Sequence, residues 1–201
     1  MHSVYWNWVI SVAKRRCADL EVKFPKGKRK GKTPFTRTDY RPELDDSDFC
    51  CERFVTLYQN LVGVMRWMCE IGRIDILHET ALLSQYLAGP RWEHLQQAVN
   101  VFAYLEKHDR SWMVLDPTRF AVSWKPIRNE KSPQERARIM KRLYPDAIDE
   151  IPPRMPKPRG RPVDVSLFVD ADHAGNVVTR RSHTGIIIYV NMTPIVWYSK
   201  R

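Results

Sequence analysis

The sequence predicts an α+β protein in which a small helical subdomain is followed by an antiparallel β-meander. Two patterns predict this. Between Phe54 and Lys107, apolar residues recur at three- and four-residue steps in three successive stretches, each an amphipathic helix with one face for a core. From Asp164 to Arg201, runs rich in β-branched and aromatic residues are separated by polar, Gly- and Asn-containing punctuation, as in short paired strands. A length of 201 residues with 43% hydrophobic content is enough to bury a core, in one domain or two small ones.

Residues 1–50 are predicted to form a strand followed by a basic and polar linker. Val4 to Val12 is aromatic and β-branched, which favours a strand. The run is followed, not led, by Lys14-Arg15-Arg16, which makes a poor secretory signal. Lys23 to Lys32 is a basic run broken by Pro25, Gly27 and Gly31. Its Lys26, Lys28, Arg29, Lys30 and Lys32 suit phosphate contacts or a nuclear import signal, and equally a solvated linker. A polar connector from Thr33 to Asp48 leads to the helices.

Residues 51–110 hold the three helices. Phe54, Leu57, Tyr58, Leu61, Met65 and Met68 share the first apolar face; Gly63 inside it either costs ~1 kcal/mol of helix propensity or permits close packing. Asp75 is placed to cap a second helix presenting Ile76, Thr80, Leu83 and Leu87, which Gly89-Pro90 stops. The third runs from Trp92 to Lys107 with Leu95, Ala98, Val99, Phe102 and Leu105 in register. Trp67, Trp92, Trp112 and Trp197 sit in apolar patterns, so core is favoured over base stacking.

Residues 111–163 read as a connector. Trp112 to Leu115 is a candidate short strand closed by Asp116-Pro117, and Ser132-Pro133-Gln134-Glu135 is a capping-box start for a helix to about Tyr144. Ile151 to Pro162 alternates proline with basic residues and predicts an extended, positively charged tether. Residues 164–201 carry the meander.

The balance of 33 Lys and Arg against 23 Asp and Glu gives a net charge of +10, which favours polyanionic partners such as nucleic acid or acidic membrane surfaces, and charge alone does not choose between them. No apolar run approaches the ~18 residues of a membrane span. The four cysteines lack C-x-x-C spacing, so they read as free thiols in a reducing, intracellular compartment, cytoplasmic or nuclear. No nucleophile elbow, phosphate-binding glycine loop, zinc signature or Tyr-x-Asp-Asp polymerase motif occurs.

Three motifs stand in order near the end: Asp164-Val-Ser-Leu-Phe-Val-Asp-Ala-Asp-His-Ala-Gly175, Thr179-Arg-Arg-Ser-His-Thr-Gly185 and Pro194-Ile-Val-Trp-Tyr-Ser-Lys200. Together they resemble the ribonuclease H domain that ends the polyproteins of copia-type long-terminal-repeat retrotransposons. Tyr58-Gln-Asn-Leu-Val-Gly-Val-Met-Arg-Trp67, Gly72-Arg-Ile-Asp-Ile76, His94 and Tyr104-Leu105 are similar to the helical segment that links polymerase and ribonuclease H in those elements. Many members have Arg-Pro-Asp-Ile where this chain has Arg73-Ile74-Asp75-Ile76.

The resemblance implies a truncated ribonuclease H-like meander in which Asp170 is the first metal-binding, catalytic carboxylate. It also implies Mg2+ as cofactor and the RNA strand of an RNA–DNA hybrid as substrate. The family's other carboxylates follow the Ser-Lys motif, so the chain is expected to be a polyprotein fragment with an incomplete, vestigial centre that holds the cation poorly. The N-terminal strand would be the last of the polymerase palm, and the remainder of the polyprotein is an implied partner.

Read from the residues alone, Asp170 equally suits a strand-end cap of the turn that follows. Asp172 is expected to point to the opposite face from Asp170 if the strand continues, and His173 to lie exposed in the turn without acid–base work. Arg180 and Arg181 suit either phosphate contacts or a solvated hairpin turn. A basic, non-specific nucleic-acid-binding protein and a pseudogene product without selected activity are the competing readings.

Overall fold

In a computed structural model, the described residues are 2–25, 33–36, 39–111, 113–119, 132, 134–135, 138, 141–142, 154–156, 160–161 and 163–200. They form a mixed α+β structure: helices α1 (His2–Asp19), α2 (Glu52–Glu70), α3 (Leu77–Leu83) and α4 (Trp92–Lys107), then strands β1 (Val165–Ala171), β2 (Thr184–Val190) and β3 (Thr193–Lys200). Among the described residues, no helix is long and apolar enough to cross a membrane.

The core is helical. Leu57, Tyr58, Leu61, Val62, Met65 and Met68 of α2 bury against Leu95, Ala98, Val99, Phe102 and Leu105 of α4, the two faces that the periodicity marks. Tyr58 reaches α3 through this core, its hydroxyl donating to the Leu83 carbonyl at 2.7 Å. Gly72 ends α2. Its φ of 116° lies in the region open to glycine, and it lets the Arg73 N–H reach back to the Met68 carbonyl at 3.0 Å.

Four sequence expectations need correction. The N-terminal run is helix α1, not a strand. Val9, Ile10, Ala13 and Cys17 fall on one helical stripe and bury in the core, and that packing outweighs the strand preference of the aromatic and β-branched residues before them. Asp75 does not cap α3, which has no side-chain cap and is entered through a 3-10 turn at Ile74–Ile76. Its carboxylate instead takes two bonds from Arg73, Nε at 2.8 Å and Nη2 at 2.7 Å, because a guanidinium only 1% exposed needs a counter-charge. Met113, Val114 and Leu115 form no strand and are exposed, with Trp112 outside the described residues. Trp67 and Trp92 are 41% and 39% exposed, not core, while Trp197 is half-buried.

The connector before α2 is more ordered than its polarity predicts. Trp92, Glu93 and His94 begin α4, and their backbone N–H groups are taken by the Asp48 carbonyl, the Ser47 hydroxyl and the Asp45 carboxylate at 2.9, 3.0 and 3.1 Å. The free donors of the α4 N-terminus thus bind a preceding loop, with a negative charge where the helix dipole favours one. At Ser132 the expected capping box is present. The Glu135 N–H donates to the Ser132 hydroxyl at 3.2 Å and the Ser132 N–H to the Glu135 carboxylate at 3.3 Å. Tyr144 and most of the Pro-rich tether lie outside the described residues.

The sheet is the predicted meander, three strands in the order β1-β2-β3, all antiparallel, with a register irregularity at Ile188/Tyr189. It leans on the helices through its C-terminal strand, where Trp197 Nε1 donates to the Cys69 carbonyl at the end of α2 at 2.8 Å.

Candidate functional site

Asp170 is the last but one residue of β1, paired with Gly185 of β2, and is exposed. Beyond Ala171 the chain leaves the strand in a loop that runs to His183. Asp172 closes the base of that loop: its N–H donates to the His183 carbonyl at 3.0 Å and its Oδ1 accepts the His183 N–H. Gly175 lies directly over the Asp172 carboxylate, where an added Cβ would stand 1.8 Å from Oδ2, so a larger residue would push that carboxylate aside. Asn176 organises the rest of the loop, its Oδ1 accepting from the Val178 and Thr179 backbone N–H groups at 3.1 and 2.6 Å.

Asp170 and Asp172 line one cleft of about 620 Å³ between sheet and helices. Ile74, Leu77 and His78 form one wall, and Phe168, His183 and Ser199 are on the other. The expectation that Asp172 faces the other way from Asp170 rests on the strand continuing, and it also misapplies the strand period of two, by which residues two apart share a face; β1 ends at Ala171, and Asp172 lines the same cleft as Asp170 from the loop.

Sequence reasoning missed two histidines here. His78 on α3 meets His183 edge-on with ring centroids 5.1 Å apart, and Nε2 of His183 lies 2.5 Å from the Ser199 hydroxyl. Burial pushes His78 below its ordinary value, with the Asp172 charge pulling the other way. Only the fold joins His78 to a strand loop a hundred residues later, so no local spacing signals the pair. The loop is also tied back to the connector, with Arg41 Nη1 donating to the Gly175 carbonyl at 2.9 Å and the Val177 N–H to Glu43 at 3.3 Å.

The remaining predicted residues fall apart from this cleft or outside the description. His173 is exposed in the loop, as expected. Arg180 and Arg181 are exposed on the same loop, Arg180 at a φ of 57° and Arg181 beside a smaller hollow shared with Arg41, Glu43 and His78. Lys26, Lys28, Arg29, Lys30 and Lys32 lie outside the described residues. The thiols of Cys17, Cys50 and Cys69 are pushed up to about 11 by burial, and all four cysteines are free.

A hard divalent cation takes about six oxygen ligands, and a two-cation centre needs several convergent carboxylates. Among the described residues, no three His, Cys, Asp or Glu side chains converge on one point, and one Asp172 oxygen is already engaged by the loop backbone. Among the described residues, the donor set falls short of what a two-magnesium centre needs.

A stretch of 51 residues, 25% of this chain, is 41% identical to the Saccharomyces cerevisiae protein named "Putative transposon Ty5-1 protein YCL074W". The match spans 17% of that relative's length. A quarter of the chain is thus similar to part of a protein named as a transposon protein. No family model matches it. No solved structure matches it either.

Proposed function

We propose that the chain is a segment of a copia-type retrotransposon reverse transcriptase and ribonuclease H polyprotein. Residues 51–110 would be the helices that follow the polymerase and residues 164–201 the opening strands of a ribonuclease H-like domain. The observation that carries the reading is Asp170 at the end of the first strand of an antiparallel β1-β2-β3 meander, within the ordered motifs that run to Lys200. The similarity to a transposon protein supports it. In this reading Asp170 is one carboxylate of a centre whose other members the described residues do not supply, and the parent activity is cleavage of RNA in RNA–DNA hybrids during cDNA synthesis.

The test compares this chain with a form extended by a copia-type ribonuclease H remainder, each with and without Asp170→Asn, on an RNA–DNA hybrid with magnesium or manganese. Cleavage by the extended form alone, lost on substitution, is the expected result. Undiminished cleavage by the substituted extended form would remove Asp170 from its role. Asp170-dependent cleavage by the unextended chain would mean that Asp164, Asp172 or Glu150 complete a centre. The net charge of +10 favours a second, coarser reading as a non-specific nucleic-acid-binding protein.

A further inference from the structure

The apolar stripe of α4 goes into the core, but the same helix carries a polar stripe beside it. Glu93, Gln96, Gln97 and Asn100 stand three, four and seven positions apart, so they share one face of α4. Gln97 is only 2% exposed and is held by Thr36: its Oε1 accepts the Thr36 N–H at 3.1 Å, and its Nε2 donates to Thr36 Oγ1 at 2.8 Å. A carboxamide NH2 carries two hydrogens, so one is left to donate elsewhere. Gln96 and Asn100 are half-buried, and among the described residues neither side chain has a hydrogen-bond partner.

These four residues line a cavity of about 880 Å³ together with Trp92, Lys23 and Thr36. That is the size of a small-molecule site. The Trp92 ring is fixed edge-on to Phe54, with centroids 5.1 Å apart at 80°, and is still 39% exposed. Lys23 is exposed, and among the described residues its ammonium has no partner. The walls therefore offer one indole, three carboxamides, one cation and one carboxylate. An apolar ligand would leave the carboxamides unpaired on burial, and a simple anion would meet a single lysine opposed by Glu93. A nucleotide matches the set. Its base is a flat ring whose edge carries donors and acceptors, and its phosphate needs a cation.

We propose that this cavity receives an unpaired nucleotide of a single-stranded nucleic acid, its base stacked on Trp92, its edge hydrogen-bonded by Gln96, Gln97 and Asn100, and its phosphate at Lys23. Glu93 repels phosphate and so directs the backbone to the Lys23 side. A carboxamide presents both a donor and an acceptor, and every base has a π face, so the site tolerates any base. A paired base keeps its edge and faces inside the duplex and is excluded. The proposal rests on the reading of the chain as a nucleic-acid binder and does not depend on the ribonuclease H-like assignment. Charge-driven phosphate contacts fade with salt, whereas stacking on Trp92 persists.

The test measures fluorescence anisotropy of the full chain with a labelled oligoadenylate and with an abasic strand of the same length and charge, at low and at raised salt without divalent metal. At raised salt the base-bearing strand should bind about tenfold more tightly than the abasic one. Trp92→Ala should remove that preference and Trp92→Phe should keep most of it. Gln96→Ala with Asn100→Ala should cut the preference about fivefold; neither residue has a partner to lose, so this variant remains informative even if Trp92→Ala fails to fold, which circular dichroism checks. Equal affinity for the two strands at raised salt, with both bound at low salt, would overturn the site and leave charge-driven binding standing. A preference kept in full by both the Trp92→Ala and the double variant would place the base elsewhere and equally overturn it. No binding of either strand at low salt would overturn the nucleic-acid reading along with the site.

Discussion

The carboxylate of Asp45 is fully enclosed and serves three partners, the His94 backbone N–H, the Ser47 backbone and the Ser47 hydroxyl, with His94 Nε2 at 3.4 Å. His94 is itself 1% exposed, and both ring nitrogens are used: Nδ1 accepts the Arg91 N–H at 3.0 Å, so Nε2 carries the proton given to the Pro42 carbonyl at 2.9 Å. A second proton would force Nδ1–H against the Arg91 N–H. Burial holds His94 below its ordinary value, outweighing the raising influence of the Pro42 carbonyl and Asp45. A base with a depressed folded-state pKa binds protons more readily when unfolded, so its contribution to stability is lost as pH falls below about 6.5, the unfolded value, toward the folded one. Urea midpoints should fall between pH 7.5 and 5, and fall less in His94→Gln, whose neutral-pH stability is lower. Parallel pH profiles for the two proteins would refute this. None of these contacts was legible in the sequence, since Asp45 and His94 stand in separate elements and only the fold brings them together. The same limit hid His78 and His183, whereas Asp170 was legible because its strand and motif are local.

At the scale of elements, the helices α2 and α4 were legible because their apolar residues repeat with the helical period and bury as that period dictates. α1 was misread because strand propensity was weighed over the stripe from Val9 to Cys17, which needs a core contributed by other elements to become decisive. The strands were legible from their turn punctuation. Gly63 separates two explanations that the sequence left open. Nothing lies within 4 Å of a Cβ built at Gly63, so the residue does not serve close helix packing and only weakens α2. Gly63→Ala should therefore stabilise the protein by about 0.5–1 kcal/mol, the helix-propensity difference, read as a higher urea midpoint with an unchanged slope. A loss of stability would mean that a neighbour occupies that face.

At the scale of the whole molecule, charge and fold answer different questions. Helical faces and a meander specify the packing, while the excess of Lys and Arg over Asp and Glu favours a polyanionic partner, and the proposed one is nucleic acid, where released counterions reward a surface that neutralises phosphates. Exposed basic residues include Arg154 and Arg161 of the tether and Arg180 and Arg181 on the loop, and the sequence run from Lys23 to Lys32 adds six more Lys and Arg. Binding through such scattered contacts reads the phosphate backbone and not base edges, so it should be sequence-independent and fall steeply with salt. Each phosphate contact contributes about 0.7–0.9 to the slope of log affinity against log salt, the lower value for single strands. Replacing Lys26, Lys28, Arg29, Lys30 and Lys32 together by Gln should flatten that slope for duplex and hybrid alike while leaving the helical circular-dichroism signal intact. Fluorescence anisotropy over a salt series measures both proteins. Affinity indifferent to salt, or confined to one sequence, would sink the electrostatic account, and an unchanged slope in the quintuple variant would shift the contacts to the tether and the 172–183 loop.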